Sequence, residues 1–370
     1  MGWRVDDELQ QMLRDSAKHY LGDAGGPGHF RRVRENESGF DPAAWSQMAE
    51  LGWTGILLPE SAGGSGLGLD AAVTLAEELG RSISPEPFVA SAVIAGSVLG
   101  ASDTPAASAL AGELARGALS VTLAWQEERG TIGVPSFATR LADGRMSGTK
   151  HYVPAWHDDT GLLVAAVDGE ETVIAVVDPN APGVTVRKAR LTDGTFGADI
   201  EFDGVAVGSA DILLRGAAAD RSLDLAISRG TIVLSAQLEG LAAELWQMTT
   251  AYMRQRSQFG SNLSDFQALR HRMVDLYSEI ELAGASWRRA ATSFAQGQNS
   301  RAALHAAKAR CSQIAQDMGR WAIQYHGAFG YTDEADVGLY VHAGLRWSTW
   351  LGNPVAHRRA ALAAHRRERA

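Results

Sequence analysis

The sequence RQRSQFGSNLSDFQALRHRMVDL, residues 254–276, joins two helical patterns through a short polar connection. It predicts a helix that ends at a glycine cap, Gly260, and a second helix that starts near Ser264. Arg256 lies in this connection. An arginine there could bind an anion such as a diphosphate through paired N–H groups, or it could form a surface salt bridge. The residues alone leave both alternatives open.

On both sides of this connection, apolar residues recur every three or four positions, as they do on the buried face of an amphipathic helix. Three stripes of roughly 25–30 residues follow one another from about residue 218 onward, which predicts a helical bundle. Representative members are Leu234, Leu238, Leu241 and Leu245 in the first stripe, Met273, Leu276, Ile280 and Trp287 in the second, and Leu304, Cys311, Ile314 and Met318 in the third.

In the part of the chain before the bundle, the pattern of apolar residues changes once. Residues 1–117 contain short helical patterns and predict an N-terminal helical domain. Residues 118–212 alternate between apolar and polar positions, with Asp-Gly turn signals between them, which predicts short strands in a small antiparallel barrel or sandwich. The predicted fold class is therefore α+β and mostly α, with a C-terminal helical bundle over residues 213–370.

Composition narrows the class of function. The formal net charge of −9 argues against general nucleic-acid binding, because proteins that bind nucleic acids present a basic face. The single cysteine, Cys311, excludes a disulfide framework, and neither it nor the histidines show the spacing of metal ligands, so we expect no metal. No apolar run is long enough for a bilayer and the start shows no targeting pattern, so we expect a cytoplasmic protein without a membrane partner.

Three segments resemble acyl-CoA dehydrogenases, a family of flavoproteins. They are residues 254–276, the segment QYHGAFGY at 324–331, and LGWTGILLPESAGGSGLGLDAAVTLAEELGR at 51–81. Residues 324–331 are similar to the family pattern QxxGGxGY, and the segments occur in the family's order along nearly the whole chain. The resemblance implies an acyl-CoA dehydrogenase-like fold: an N-terminal helical domain, a middle β-domain and a C-terminal helical bundle.

The resemblance implies FAD as the cofactor, bound between the β-domain and the bundle, with part of the site supplied by a neighbouring subunit. The residues that match the family's diphosphate and adenosine contacts are Arg256, Gln258 and Phe259, which would act across a dimer interface, Gln267 near them, and Gln324, Gly327 and Ala328. Ala328 stands where the family usually has glycine, so its methyl group would narrow the approach of the backbone to the cofactor.

The resemblance also implies that two stretches of the β-domain, residues 125–127 and 152–156, lie against the flavin ring. Gln126 and Pro154 stand where threonine is common in the family. Pro154 has neither an N–H nor a hydroxyl group, so one hydrogen bond to the flavin would be lost. Trp156 would stack on the ring; the alternative is that it belongs to the core of the β-domain.

The family reaction is α,β-desaturation of an acyl thioester, in which a glutamate takes the α-proton while the β-hydrogen leaves as a hydride to the flavin. A buried glutamate suits this task because burial raises its pKa towards neutrality. Three positions hold this glutamate in different members of the family. In this chain they are occupied by Leu351, Gln237 and Gly230, none of which can accept a proton at neutral pH.

Two explanations stay open for the missing carboxylate. In the first, the chain is a subunit of a heteromeric dehydrogenase whose paralogous partner supplies the base, as in the mixed tetramers of steroid side-chain breakdown that its C-terminal part resembles. In the second, the base is relocated or dispensable, and Glu244 is the candidate for a relocated base because it returns to the helix face of Gln237, about 10 Å along the axis. Glu239 points about 200° away from that face.

The sequence therefore predicts an FAD-dependent dehydrogenase of acyl thioesters, or a subunit of one. The thiol carrier is coenzyme A or a carrier protein, and the assembly is a homo-oligomer or a heterotetramer with a paralogous subunit. A non-catalytic subunit that completes a partner's flavin site is one alternative. A biosynthetic relative that acts on carrier-protein-bound acyl groups is another.

Overall fold

The N-terminal part of the chain is helical, as its sequence predicts. In the computed structural model, which describes residues 7–128, 130–298 and 300–368, its helices are α1 (Asp7–Ala24), α2 (Gly26–Glu35), α3 (Pro42–Glu50), α4 (Leu69–Arg81), α5 (Gly96–Leu99) and α6 (Pro105–Ala115). A π-helical segment, Phe88–Ala95, leads directly into α5. The Asp41 side chain accepts hydrogen bonds from the backbone of Ala43 and Ala44, which explains why α3 begins at Pro42.

A sheet of eight strands follows in the described part of the chain. The strands are β1 (Ser120–Ala124), β2 (Arg140–Ala142), β3 (Arg145–Pro154), β4 (Thr160–Asp168), β5 (Glu171–Val177), β6 (Val184–Arg190), β7 (Phe196–Ala206) and β8 (Ile212–Arg215). Their order is β6-β7-β3-β2-β4-β5-β8, and β1 pairs with β4. Aliphatic side chains, together with Trp156 and Phe202, form the core of this sheet.

Two features of the sheet differ from the predicted antiparallel barrel or sandwich. The pairs β1–β4 and β2–β4 are parallel, so the sheet is mixed. The last strand also extends beyond residue 212, where the sequence placed the end of the β-domain. It does so because β8 pairs with β5 and Arg215 forms an ion pair of 2.6 Å with Asp168. Alternation of side chains identifies a strand but not its neighbour, so the pairing could not be predicted.

The C-terminal part consists of long helices, in agreement with the predicted bundle. They are α7 (Ala217–Gln255), α8 (Gln267–Ala295), α9 (Arg301–His326), α10 (Val337–Thr349) and α11 (Pro354–Glu368), with a short hairpin of β9 (Ser257–Gln258) and β10 (Ser261–Asn262) between α7 and α8. Most of the apolar stripes are buried. Helices α4 and α7 cross closely, since a Cβ atom at Gly80 would lie 2.0 Å from the Gln237 carbonyl oxygen and one at Gly240 equally close to that of Glu77.

The chain forms two compact units. One contains the described residues up to Arg32, then Val73–Ser84 and the chain from Thr231 onward. The other contains Val33–Ala72 and Pro85–Gly230, and therefore the whole eight-stranded sheet. Helices α4 and α7 contribute to both units. The division into three domains, read from the change of secondary structure, stays a prediction.

Candidate functional site

The connection between α7 and α8 is a β-hairpin rather than the predicted glycine-capped helix end. Helix α7 ends at Gln255, and the backbone N–H of Leu263 donates to the Arg256 carbonyl at 2.9 Å, which closes the hairpin. The two turn residues, Phe259 and Gly260, have φ angles of 54° and 82°. Two successive positive φ angles are typical of the tight turns that connect hairpin strands. A short 3-10 helix, Leu263–Asp265, spans the predicted helix start near Ser264, and the α-helix α8 begins three residues later at Gln267.

Phe259 is the most unusual residue of this hairpin. Its side chain is 95% exposed, and a bulky residue rarely adopts a positive φ. Burial does not explain the choice of phenylalanine, and the turn would be relaxed by glycine or asparagine at the same position. An exposed aromatic ring on a strained turn is typical of a binding contact.

Four of the predicted cofactor residues line one cleft of about 610 Å³, which we call the hairpin cleft. It is formed by the end of α7, the hairpin and the end of α9. Its lining residues are Tyr252, Gln255, Arg256, Gln258, Leu263, Tyr325, His326, Gly327, Ala328 and Phe329. The side chains of Arg256 and Gln258 are exposed, so their donor groups are accessible to a ligand in the cleft.

One wall of the hairpin cleft is aromatic. The Tyr252 ring stacks on His326, with centroids 4.2 Å apart, and lies nearly parallel to Phe329 at 6.4 Å. The carbonyl of Ala322 can only accept, so the Nδ1 atom of His326, 2.8 Å away, carries a proton. Burial lowers the pKa of His326, and the hydrogen bond to Ala322 only partly offsets it, so the ring is neutral at pH 7. A flat apolar wall beside a cationic arginine suits an anionic ligand with an aromatic part.

Phe259 on the hairpin turn lies outside the lining of this cleft, as do two other predicted cofactor residues of the helical unit. Gln267 is the first residue of α8 and is exposed, with its Nε2 atom 3.4 Å from the Nε2 atom of His271. Gln324 is exposed on the last turn of α9, three residues before Gly327. Their predicted roles at the cofactor stay predictions.

Within the sheet unit, Gln126 is the second residue after β1 and is only 5% exposed. Its backbone carbonyl accepts a hydrogen bond of 2.8 Å from the His151 N–H, which connects the first stretch predicted to face the flavin to the residue directly before the second. Its side-chain Oε1 atom is buried and has no hydrogen-bond partner within the described ranges of the chain. A buried amide oxygen without a donor costs free energy, so a ligand N–H at this position would be stabilising.

A buried ion pair fixes the residue that follows Gln126. The Lys150 Nζ atom lies 2.6 Å from the Glu127 carboxylate and 4.4 Å from the centre of the Phe137 ring, and Lys150 is completely buried. Burial opposes ionisation of Glu127, but hydrogen bonds from Lys150 and from residues 138 and 139 outweigh it and lower its pKa to about 2. Burial lowers the pKa of Lys150 to about 8 against the attraction of Glu127. The pair is charged at neutral pH.

Trp156 is 5% exposed and belongs to the hydrophobic core of the sheet. Its backbone N–H donates to the Phe196 carbonyl at 3.2 Å. Pro154 is the last residue of β3, and its carbonyl accepts from the Thr122 hydroxyl at 3.1 Å. The burial agrees with the alternative that Trp156 is a core residue, and stacking on a flavin stays a prediction.

The base position after the glycine motif, Leu351, is a buried corner that we call the Leu351 corner. Leu351 has a φ of 58° and is 2% exposed, and its carbonyl accepts a hydrogen bond of 2.8 Å from His357. The fully buried Lys308 amine donates to Ser312 and to three carbonyls at the end of α10 and beyond it, those of residues 347, 348 and 352. Cations are favourable at helix C-termini, so Lys308 stabilises this corner.

The other two base positions lie on α7. Gln237 is 6% exposed and lies where α7 crosses α4. Gly230 is buried as well. Neither position carries an acidic group, as the sequence already showed.

Glu239 and Glu244, the carboxylates nearest to Gln237 on α7, lie among charged neighbours of the helical unit. The Trp287 indole N–H donates to Glu239 at 3.4 Å, and burial raises the pKa of Glu239 to about 7. Glu244 is half-buried; burial raises its pKa, while Arg81 opposes this effect. The role of Glu244 as a relocated base stays a prediction.

The helical unit also contains an ionic cluster that sequence reasoning missed. Arg14 of α1 bridges Glu77 at 2.9 Å and Glu78 at 3.2 Å, and both carboxylates are on α4. Arg81 and Arg288 approach Glu77 at 3.5 and 3.8 Å. Burial raises the pKa of Glu77, but these arginines outweigh it and the net pKa is lowered. The sequence signal for this cluster is the pair of adjacent glutamates, Glu77 and Glu78, within an otherwise apolar helical pattern.

Two family models match the chain. The model for the N-terminal domain of acyl-CoA dehydrogenases matches residues 7–106, and the model for the C-terminal domain matches residues 216–360. The chain belongs to the acyl-CoA dehydrogenase family. Members of this family are FAD flavoproteins.

Relatives of this acyl-CoA dehydrogenase family member cover nearly its full length. It is 28% identical over 345 residues to acyl-CoA dehydrogenase IpdE2 of Mycobacterium tuberculosis H37Rv, with 90% of each chain covered. The solved structure described as "Tcur3481-Tcur3483 steroid ACAD G363A variant" is 27% identical, with a TM-score of 0.88 and 98% of each chain covered. The ChsE4-ChsE5 complex from Mycobacterium tuberculosis, 23% identical with a TM-score of 0.87 and 97% of each chain covered, has the same fold.

The described residues contain neither a candidate membrane span nor a candidate metal cluster. No helix among them is both long and apolar enough to cross a membrane. No group of three or more His, Cys, Asp or Glu side chains in the same residues is arranged to hold a metal ion.

Proposed function

We propose that this acyl-CoA dehydrogenase family member binds FAD and acts in the α,β-desaturation of an acyl thioester. The observation that carries the proposal is the hairpin cleft, where Arg256 and Gln258 meet the turn at Gly327 and Ala328. Its donors suit a diphosphate, and its aromatic wall suits the rest of a nucleotide. When bound, FAD accepts the hydride in this chemistry.

The sheet unit supports the same cofactor independently. The buried Oε1 atom of Gln126 has no partner in the parts of the chain that are described, so a ring N–H could satisfy it. The ion pair of Glu127 and Lys150 holds the adjacent backbone in place. In our proposal, this chain's own residues bind and orient the cofactor.

A partner chain supplies the catalytic base in this proposal. Leu351, Gln237 and Gly230 occupy the three family positions, and none is acidic. The relative described as Tcur3481-Tcur3483 carries two designations, which supports an assembly of two different chains. The partner would be a paralogous dehydrogenase subunit in a cytoplasmic heterotetramer, and coenzyme A or a carrier protein would be the thiol.

A second candidate follows from the same three positions. The chain could act only as a non-catalytic subunit that completes its partner's flavin site, because its own base positions are structural. The two candidates differ in whether this chain's own flavin is reduced by substrate. A relocated base such as Glu244 would instead make the chain active alone.

The test is co-expression with a paralogous subunit from the genomic neighbourhood, followed by mass and flavin content of the complex. We expect an assembly of at least two chains, one FAD for each cofactor site, and bleaching of the flavin by acyl-CoA only in the complex. A monomer of 39.4 kDa that contains flavin would contradict the shared site. Rapid bleaching by the isolated chain would contradict the partner-supplied base.

A further inference from the structure

Arg229 is a half-buried cation for which no carboxylate partner exists among the residues that the structure describes. Its Nη1 atom donates to the Ser97 hydroxyl at 3.2 Å. Its Nε atom is shielded from solvent and has no hydrogen-bond partner in the described part of the chain. Burial lowers the pKa of this guanidinium, and no charged neighbour offsets the effect.

The contrast with Arg14 shows how unusual this is. Arg14 is also partly buried, but two carboxylates, those of Glu77 and Glu78, compensate its charge. A hydroxyl such as that of Ser97 offers a dipole but no countercharge. Buried charges in proteins are normally paired, so Arg229 lacks an anion that a bound molecule can provide.

A carboxylate fits the free side of Arg229. The guanidinium presents its N–H groups as a planar fork that binds both oxygens of a carboxylate or phosphate. With Nη1 engaged by Ser97, the enclosed Nε group still has no acceptor among the described residues, and an anion that reaches it would supply one. The Ser97 hydroxyl fixes the side chain, so binding would need little reorganisation.

The position of Arg229 on α7 indicates which part of a substrate carries the anion. Arg229 directly precedes Gly230, one of the family positions for the base that takes the α-proton of the acyl group. The phosphates of coenzyme A are separated from the thioester by the whole pantetheine arm. An anion beside Gly230 therefore belongs to the acyl group rather than to coenzyme A.

We propose that Arg229 binds a carboxylate on the acyl group, so that the substrate class is the monothioester of a dicarboxylic acid. This inference rests on the proposed function, because it places the acyl group beside Gly230. An acyl group without a carboxylate leaves Arg229 unpaired, which penalises it relative to the matched dicarboxylic thioester.

The test compares pairs of acyl thioesters of equal chain length on the full chain with FAD and its partner subunit. The pairs are succinyl- and butanoyl-CoA, adipoyl- and hexanoyl-CoA, and suberoyl- and octanoyl-CoA, with dissociation constants measured by calorimetry. At one chain length, we expect the carboxylate-bearing ester to bind about tenfold more tightly or better, because a charge-assisted pair replaces an unpaired cation. Arg229→Gln should remove this preference and keep the affinity for the neutral ester.

Arg221→Gln is the matched control, since Arg221 is an exposed arginine on the same helix. It should keep the preference. Equal weakening of both esters in Arg229→Gln would assign the residue to the coenzyme A phosphates or to a structural role and overturn the proposal. So would wild-type protein that binds both esters of every pair equally, although the proposed function would stand.

Failure of every coenzyme A ester to bind would overturn this inference as stated and leave a carrier-protein thioester as the substrate form of the proposed function. Should Arg229→Gln fail to fold, the preference of the wild-type protein within each pair still decides the question. Thermal shift gives a second readout there: the carboxylate-bearing ester should raise the melting temperature more than its neutral counterpart.

Discussion

The hairpin cleft and the Leu351 corner carry two parts of one family pattern, and they differ in how their polar groups are used. In the cleft, Arg256 and Gln258 are exposed, and Phe259 on the adjoining hairpin turn adopts a strained backbone conformation. At the corner, the Leu351 carbonyl is bonded to His357 and Lys308 is saturated by four acceptors. Exposed hydrogen-bond donors indicate a binding site, whereas buried polar groups with satisfied hydrogen bonds indicate a structural role.

This difference teaches where substitutions should act. Changes in the cleft should weaken cofactor binding and leave the free energy of unfolding nearly unchanged. Changes among the buried charged groups should lower that free energy and leave the affinity for FAD unchanged. A carboxylate introduced at Gln237 should alter turnover.

The largest expected effect is on turnover at Gln237. Because no base position carries a carboxylate, the isolated chain should desaturate acyl-CoA very slowly, as a positioned base contributes on the order of 10²–10⁴ in rate. Gln237→Glu keeps the size of the side chain and restores the carboxylate at a position where relatives have it. We expect faster bleaching of the flavin by acyl-CoA, measured by stopped-flow absorbance.

Gln247→Glu serves as the control, since it adds a carboxylate at an exposed position of the same helix and should leave bleaching unchanged. Robust turnover by the wild-type chain alone would show that another carboxylate is the base. Glu244→Gln would then be the next variant, and its loss of activity would identify the relocated base.

The next largest effect is on stability at Arg14. Arg14→Met leaves Glu77 and Glu78, both nearly buried, without their closest cation. Breaking a buried ion pair on one side costs roughly 3–5 kcal/mol, so the midpoint of urea unfolding should fall clearly. Lys18→Met, an exposed change on the same helix, should have little effect. If folded Arg14→Met lost affinity for FAD, this would contradict the expectation that the buried charged groups affect stability but not cofactor binding.

The order of helices, strands and helices could be predicted from the sequence, because the spacing of apolar residues changes along the chain. Apolar residues recur every three or four positions in the helical parts and every two positions in the strands. The family resemblance, rather than a physical pattern in the sequence, predicted that Arg256, Gln258, Gly327 and Ala328 belong to one site. The hairpin at Phe259 was missed because Phe-Gly is not a usual hairpin signal. The sequence also could not show that Arg229 has no carboxylate partner among the described residues, because this depends on how the folded chain packs.

A moderate effect on binding is expected at Arg256. In the proposed site, Arg256→Ala removes a charge-assisted hydrogen bond to the diphosphate worth roughly 1.5–3 kcal/mol, so the affinity for FAD should fall by about tenfold or more. Flavin retention after gel filtration and fluorescence titration measure the loss. Arg254→Ala, at an exposed neighbouring position outside the cleft lining, is the control. Unchanged flavin stoichiometry and affinity in Arg256→Ala would show that the hairpin cleft is not part of the cofactor site.

The smallest expected effect is the pH dependence of stability due to Glu239. Burial raises the pKa of Glu239 to about 7, so between the ordinary range of a glutamate and pH 7 the folded protein binds more protons than the unfolded chain. Stability from this group is therefore present at low pH and is lost as the pH rises towards 7. Glu239→Gln, which stays neutral, should abolish that loss and be more stable than the wild type at pH 8. Urea unfolding at pH 5 and pH 8 measures it, with exposed Glu35→Gln as the control. A Glu239→Gln variant that loses stability equally at both pH values would show that the ionised carboxylate stabilises the helical core.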